Sequence, residues 1–409
     1  MSTRQKNILL GFVVAVTAMS SPRVRAVSPV PAELAEARRW AATKFEGVQR
    51  GTHGRKAGYG AEPFTISSVR QYTTSAYPTL DRLADGRLLC VYSAIDDRAT
   101  RGKAVIVATF SEDNGGTWSK PIVLIDSRPD LDYDPNIIVI GPRVIVTSTT
   151  VPPTHGQIIS TSRTVAVRSE DSGKTWSKPY DIPMGHRYTS GKINRGIVLR
   201  DGTALFGYSW DIALDKTEKI TSEGQEECRA CLMASTDRGL TWKTISHVTT
   251  RDRKLADRVG AINGLDEPAL VELSDGAVYM LCRTGLTKLY ESRSTDGGKT
   301  WSAAAPSPLT SHNAPASLCR IGGKKPGILA VWCNSSTSRW PLCAAASFDD
   351  CRTWSTPRRL TERDGHEQSY PACIEAPDGR LVVAWQEIIP GGREIRAARF
   401  NLDWLLDDT

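Results

Sequence analysis

Helical periodicity, a strong net charge and clustered metal ligands are all scarce in this 409-residue chain, and each shortage removes a class of protein. Apolar spacing of the helical kind occurs only in Pro31 to Lys44, which argues against helical bundles and doubly wound α/β sheets. The one long apolar run, Ile8 to Met19, is too short to cross a bilayer comfortably, so the chain is not polytopic and no stable membrane span is expected. The formal charge of +7 includes Arg4, Lys6, Arg23 and Arg25, with no acid before residue 27, so the rest of the chain carries 7 − 4 = +3. A field that small gives no reason to expect nucleic acid or a membrane surface as partner. Among nine cysteines only Cys228 and Cys231 make a C-x-x-C pair, with no second pair or histidine cluster at zinc spacing; no metal or cofactor is called for. The odd count leaves at least one thiol unpaired in a single chain. Cys333 and Cys343, ten residues apart across an expected loop, are the candidate disulfide.

What is present begins with a leader. Arg4 and Lys6, the apolar run and the ending Val24-Arg25-Ala26 have the form of a secretory signal peptide over residues 1–26. Export to a periplasmic or extracellular location is therefore expected. Residues 27–62 read as an extension with a short helix, and residues 63–409 as the folded body.

Two repeats run through that body. SEDNGGTWS at Ser111 and SEDSGKTWS at Ser169 are near copies, and STDRGLTW at Ser235, STDGGKTW at Ser294 and SFDDCRTW at Ser347 keep Ser-x-Asp-x-Gly-x-Thr-Trp, with Cys351 replacing glycine in the last. Their starts lie 58, 66, 59 and 53 residues apart, the length of one small β-sheet each. In such a turn Asp accepts from the turn's own N–H groups, Gly takes the left-handed conformation and Trp buries a face against the sheet. Residues repeated in every unit read as a folding staple, because a single active site is made once.

The second repeat is a hairpin. AYPTLDRLADGRLLCVY from Ala76, DEPALVELSDGAVYMLC from Asp266 and SYPACIEAPDGRLVVAW from Ser369 each place Asp-Gly seven residues after Pro. YDPNIIVIGPRVIVTST from Tyr133, KINRGIVLRDGTALFGYSW from Lys192 and NAPASLCRIGGKKPGILAVW from Asn313 are weaker copies. Each gives two strands, a third follows (AVIVATFS, for example), and a fourth comes after the Trp turn. The expected fold is all-β, a six-bladed β-propeller with a short N-terminal helical segment, closed by FTISSVRQ supplying the outer strand that the last unit lacks.

Strand direction then locates a site. The Trp turns fall on one face of the ring, and residues preceding each Pro, ends of second strands and the loops after them fall on the other. That second set holds Asp134, Lys192, Glu267, Tyr370, Asp96, Asp97, Arg98, Trp210, Arg283, Arg339, Gln386 and Glu387, and His312 just before a hairpin. Two arginines, a tyrosine with a glutamate partner and loop aspartates suit an anionic sugar.

The Trp turns in phase with these hairpins resemble the Asp-box, or bacterial neuraminidase repeat, proteins and specifically the sialidase superfamily, over about residues 63–405. The resemblance implies a glycan or glycoconjugate substrate with a terminal acidic sugar, its carboxylate held by three arginines. It also implies a retaining, metal-independent hydrolysis in which a Glu-activated Tyr attacks the anomeric carbon and a loop Asp protonates the leaving group. A neutral phenol approaches an anionic centre more easily than a carboxylate does. Carried over by position, Tyr370 is the nucleophile, Glu267 its activating base, Arg283 and Arg339 the second and third arginines, Glu387 the carboxylate that steadies the first, and Asp96 or Asp97 the acid. Lys192, Trp210, Asp134 and His312 are further substrate-binding candidates. The family's first arginine belongs in Arg-Ile-Pro, and here the place reads Ala76-Tyr77-Pro78. Arg98, Arg187 and Arg195 are the candidates to replace it. Losing one bidentate ion pair costs about 2–5 kcal/mol of binding, so two alternatives stand beside an exo-α-sialidase: a carbohydrate-active propeller for another anionic glycan, and a glycan-binding module without catalysis.

Overall fold

In the computed structural model of the chain the described residues are 61 and 63–407, less 96–103, 154–160, 216–226, 253, 257–261 and 362–365. The expected leader, the helix in Pro31 to Lys44, and Asp96, Asp97 and Arg98 lie outside them. The described residues are almost entirely strand, in a β-propeller arrangement. The strands form where apolar and β-branched runs are cut by Asp-Gly and Gly-rich turns. Leu88–Ile95, for example, is buried along its whole length and pairs residue for residue with Ala104–Ser111.

The innermost strands touch in turn around a closed ring. Thr74–Arg82 meets Leu131–Ile140, then come Ile197–Val198, Asp266–Glu272, Ser317–Ile321 and Gln368–Glu375, which returns to Thr74–Arg82. Large side chains such as Trp332, Trp385, Tyr92 and Tyr279 fill the wedges between neighbouring sheets and are fully buried.

Six separate sheets were expected, and the hydrogen bonding gives five. Four stand as separate fans of four or five strands, and the fifth has eight. The larger sheet arises at the closure: Phe64–Ser67 pairs antiparallel with the last strand, Gly392–Phe400, which also makes one parallel pairing, Thr74 with Arg393, to the first inner strand. That single contact fuses two four-stranded fans into one hydrogen-bonded unit.

All five Trp turns close on themselves. In the first, the Ser111 hydroxyl donates to Asp113 at 2.8 Å and accepts from Gly115 N at 2.8 Å, while Thr117 gives Asp113 its N–H at 2.8 Å and its hydroxyl at 2.9 Å. The same bonds recur around Asp171, Asp237, Asp296 and Asp349. Cys351 takes the left-handed conformation (φ 62°) that glycine holds elsewhere.

The expected disulfide does not form. Cys333 and Cys343 lie on paired strands with Cys333 opposite Leu342 and Trp332 opposite Cys343. Neighbouring strand positions face opposite ways, so the two sulfurs lie on opposite sides of the sheet. All nine cysteines are free thiols and buried. Among the described residues no cluster of ligands suits a metal, and no helix is long and apolar enough to cross a membrane.

Candidate functional site

The mouth of the ring is built by a repeated backbone irregularity. Near the start of each inner strand one residue is left-handed: Tyr77 (φ 56°), Asp134 (47°), Gly191 (65°), Glu267 (47°), Asn313 (47°) and Tyr370 (55°). In four strands the pairing slips by one residue across this point, between Ala76 and Thr79, Tyr133 and Asn136, Asp266 and Ala269, and Ser369 and Ala372. Such a bulge re-aims one side chain, and a bulky residue held at positive φ marks strain retained for a purpose. The Pro that follows in Tyr77-Pro78, Asp134-Pro135, Glu267-Pro268 and Tyr370-Pro371 has no N–H to offer the ladder, so the interruption leaves no donor stranded there.

Four of the expected residues meet. Arg283, at the end of Val278–Arg283, donates from Nη1 to Glu267 Oε2 at 2.8 Å and to the Tyr370 hydroxyl at 3.4 Å, and from Nε to Asn313 Oδ1 at 2.9 Å. Arg339 lies with its guanidinium 5.5 Å from the Tyr370 ring centroid, donates to the Asn313 carbonyl at 2.8 Å and pairs with Glu367 at 3.1 Å. Tyr77 packs edge-on against Tyr370, with centroids 4.7 Å apart. Glu267 is fixed from below, its N–H donating to Ser209 and to Asp266, both at 2.9 Å.

Burial dominates the electrostatics. It pushes Glu267 up to about 7, against the pull of Arg283 and with a further push from Asp266. Burial also raises the Tyr370 phenol well above its ordinary value; Glu267 adds to the rise, while Arg283 and Arg339 oppose it. Burial alone would lower Arg283, but Glu267 and Asp266 more than reverse that, and it stays cationic.

Asp134 and Lys192 adjoin this group. Asp134 accepts from Gly191 N at 3.1 Å, and Lys192 is fully buried, donating to the Thr189 hydroxyl at 3.2 Å. Burial lowers Lys192 to about 8, with Asp134 opposing. Nearby Asp211 is raised to about 8, first by burial and then by Asp266.

Other candidates are occupied elsewhere. Trp210 stacks on His186 (centroids 4.1 Å apart) and donates to Asp215 at 3.1 Å. His312 Nδ1 lies 2.9 Å from the Ser336 carbonyl oxygen. Glu387 is buried beside Trp385, whose indole N–H lies 3.4 Å from its carboxylate. Of the proposed replacements at position 76, Arg195 pairs with Asp81 at 3.5 Å, and Arg187 is exposed with its N–H on Asp215.

Sequence reading missed two features. Glu367, the partner of Arg339, also accepts from Ser369 at 2.7 Å, and Ser369 accepts from Gln386, which in turn accepts from Tyr77 N at 3.3 Å. This chain, buried at Ser369 and Gln386 and half-buried at its ends, ties Arg339 to Tyr77, and its sequence signal was Ser369-Tyr370 directly after Glu367-Gln368. The second is the left-handed residue near each inner-strand start, which in two strands does not directly precede a Pro, near Lys192 and before Pro315. In these two it is Gly191 and Asn313, because Pro315 comes one position later than its counterparts and the third inner strand carries additional residues. There the pairing slips by three between Ser190–Ser209 and Ile197–Leu205, splitting the strand and burying Lys192.

Residues 144–383 match the family described as BNR repeat-like domain. The chain belongs to the sialidase/BNR-repeat superfamily. Its relatives in this superfamily include a sialidase of Micromonospora viridifaciens, 25% identical over 85% of this chain and 54% of the relative, and a sialidase of Bacteroides fragilis, 26% identical over 54% and 39%. The chain thus spans about half or less of the length of these curated relatives. Among solved structures the BNR-repeat fold is shared with the Hadza microbial sialidase Hz136 (TM-score 0.67, 18% identity, 83% of this chain and 68% of that one). It is shared too with the intramolecular trans-sialidase from Ruminococcus gnavus in complex with oseltamivir carboxylate (0.66, 16%, 87% and 100%) and a protein of unknown function from Dyadobacter fermentans (0.65, 19%, 84% and 99%).

Proposed function

We propose that this protein is an exported glycoside hydrolase of exo-α-sialidase type, built on six blades once the eight-stranded sheet is counted as two. One observation carries the reading: a single guanidinium nitrogen of Arg283 lies 2.8 Å from Glu267 and 3.4 Å from the Tyr370 hydroxyl. In this mechanism the Tyr370 oxygen attacks the anomeric carbon and its proton passes to Glu267. The glycosidic bond breaks, and a carboxylic acid outside the described residues, Asp96 or Asp97, protonates the departing oxygen. Water then cleaves the glycosyl–tyrosine bond by the reverse proton route, so configuration is retained. Arg283 and Arg339 attract the sugar carboxylate and favour the phenolate as it forms. The test is hydrolysis of a 4-methylumbelliferyl N-acetylneuraminide by the wild type and by Tyr370→Phe. Equal rates remove Tyr370 from the chemistry, and inert wild type removes the sialoside.

The second reading, an enzyme or binding module for another anionic glycan such as a uronate, is favoured by one feature. Position 76 is a buried alanine, and the Tyr77 ring packs beside Tyr370. Turnover or binding of acidic oligosaccharides without sialoside hydrolysis supports it.

A further inference from the structure

The guanidiniums at the mouth are not equally employed. Arg283 is held by Glu267 and Asp266, and Arg339 by Glu367 and the Asn313 carbonyl. Arg393 is partly buried, and its side chain makes no hydrogen bond or ion pair among the described residues. Its backbone is nonetheless fixed from both sides. It pairs antiparallel with Ile388 and parallel with Thr74, and its N–H donates to the Thr73 carbonyl at 3.2 Å. Arg393 therefore stands where the closing strand meets the inner strand that carries Ala76 and Tyr77. After burial, its charge is the largest influence on the Tyr77 phenol, and it also acts on Glu367, the partner of Arg339.

A partly buried guanidinium that no carboxylate meets at contact distance has lost hydration that the more distant Glu367 does not return with hydrogen bonds. An oxyanion arriving in the mouth returns it, and a planar guanidinium on a rigid strand can meet a carboxylate with two parallel hydrogen bonds. The surroundings select where that anion lies. Tyr77 is edge-on to Tyr370, and the hydrogen-bonded chain from Tyr77 through Gln386, Ser369 and Glu367 to Arg339 spans the same junction. We infer that Arg393 is the third cation of the mouth and binds the carboxylate of an acidic sugar from the closing strand, on the side where residue 76 is alanine. This deepens the reading of the mouth as an acidic-sugar site and rests on it. It is also a specificity device: a cation delivered from the neighbouring strand approaches the carboxylate from a different direction than one at position 76, so the acidic sugars accepted differ.

The test is calorimetric binding of N-acetylneuraminic acid, glucuronic acid and the methyl ester of each to the full chain, to Arg393→Gln and to Arg393→Lys, with melting temperatures as a check on folding. Wild type is expected to prefer at least one acid over its ester by about tenfold or more, Arg393→Gln to lose about tenfold of that preference, and Arg393→Lys to keep part of it. The inference is overturned if Arg393→Gln weakens acid and ester equally, if it leaves the preference intact, or if wild type prefers neither acid. A preference for glucuronic acid that depends on Arg393, with no sialoside turnover, retires the sialidase reading and keeps this one. Sialoside turnover with a preference independent of Arg393 does the reverse.

Discussion

The two faces of the ring repeat different things. On one, five turns repeat their side chains: Ser, Asp and Thr make the same bonds each time and leave the Asp carboxylates accepting from their own turn. On the other, six positions repeat only a backbone conformation and carry Tyr, Asp, Gly, Glu, Asn and Tyr. Repeated chemistry with local partners stabilises each sheet. Repeated geometry with different chemistry brings different groups to one point, and a site can be built from it. The electrostatics divide the same way. Hydrogen bonds from the Thr hydroxyls, first among several donors, hold Asp296 and Asp349 below the ordinary carboxylate range, whereas burial lifts Glu267 to about 7.

The sharpest break of this comparison is at Tyr370. Tyr370→Phe removes one oxygen and keeps the ring that packs on Tyr77, so turnover should fall by about a thousandfold or more while the melting temperature moves by only a few degrees. A sialoside assay beside a thermal melt reads both. Comparable loss in the two measurements would mean that the mouth, like the opposite face, is scaffold.

Glu267→Gln comes next. Removing a general base costs about a hundredfold to ten-thousandfold in kcat/KM. As a base Glu267 must be ionised, and its ionised fraction grows as pH rises through about 7, so wild-type kcat/KM should climb over that interval and then level. In Glu267→Gln that limb should vanish. A limb that persists unchanged assigns the titration to another group, Asp211 foremost, since it is raised to about 8.

Much of this division is legible in the chain, for physical reasons that also explain the failures. The Pro-to-Asp-Gly spacing of seven is a strand plus a turn, so it marked the hairpins wherever Pro78, Pro268 and Pro371 stand. It misled where the strand itself changed length, as between Gly191 and Ile197, because spacing cannot tell an inserted bulge from a shifted start. Glu267, Arg283, Arg339 and Tyr370 were found because they sit at strand ends, where position in the repeat fixes the face. Glu367 and Arg393 were not, since one lies just before a strand and the other on a strand that seemed needed only for closure. The sulfurs of Cys333 and Cys343 show the limit of counting residues: their separation suits a bridge, but alternation along paired strands turns them apart.

On the opposite face Asp296→Ala should lower the melting temperature by a few degrees and leave turnover per folded molecule within about twofold. The pKa of Asp296 is displaced in the opposite direction to that of Glu267, so its effect appears in a lower pH window, although both effects grow as pH rises. A carboxylate whose folded pKa is depressed contributes fully above its unfolded value near 4 and loses that contribution as pH falls towards the folded one. The gap between Asp296→Ala and wild type should therefore be widest at pH 6 and narrow towards pH 3. A gap independent of pH would assign the effect to packing of the turn.

The smallest effect separates backbone from side chain within the mouth itself. Asn313 is left-handed, accepts from Arg283 Nε through its side chain, and accepts from Arg339 through its carbonyl. Asn313→Ala loses the side-chain bond to a charged donor, worth about 1.5–3 kcal/mol, and keeps a Cβ at positive φ. Asn313→Gly loses the same bond but relieves the strain, roughly 1 kcal/mol. Chemical denaturation should thus find the glycine variant more stable than the alanine variant by about 1 kcal/mol, although both lose the hydrogen bond. If the two are equally stable, the left-handed conformation costs nothing at this position, and the six-fold backbone repeat cannot be treated as strain retained for the site.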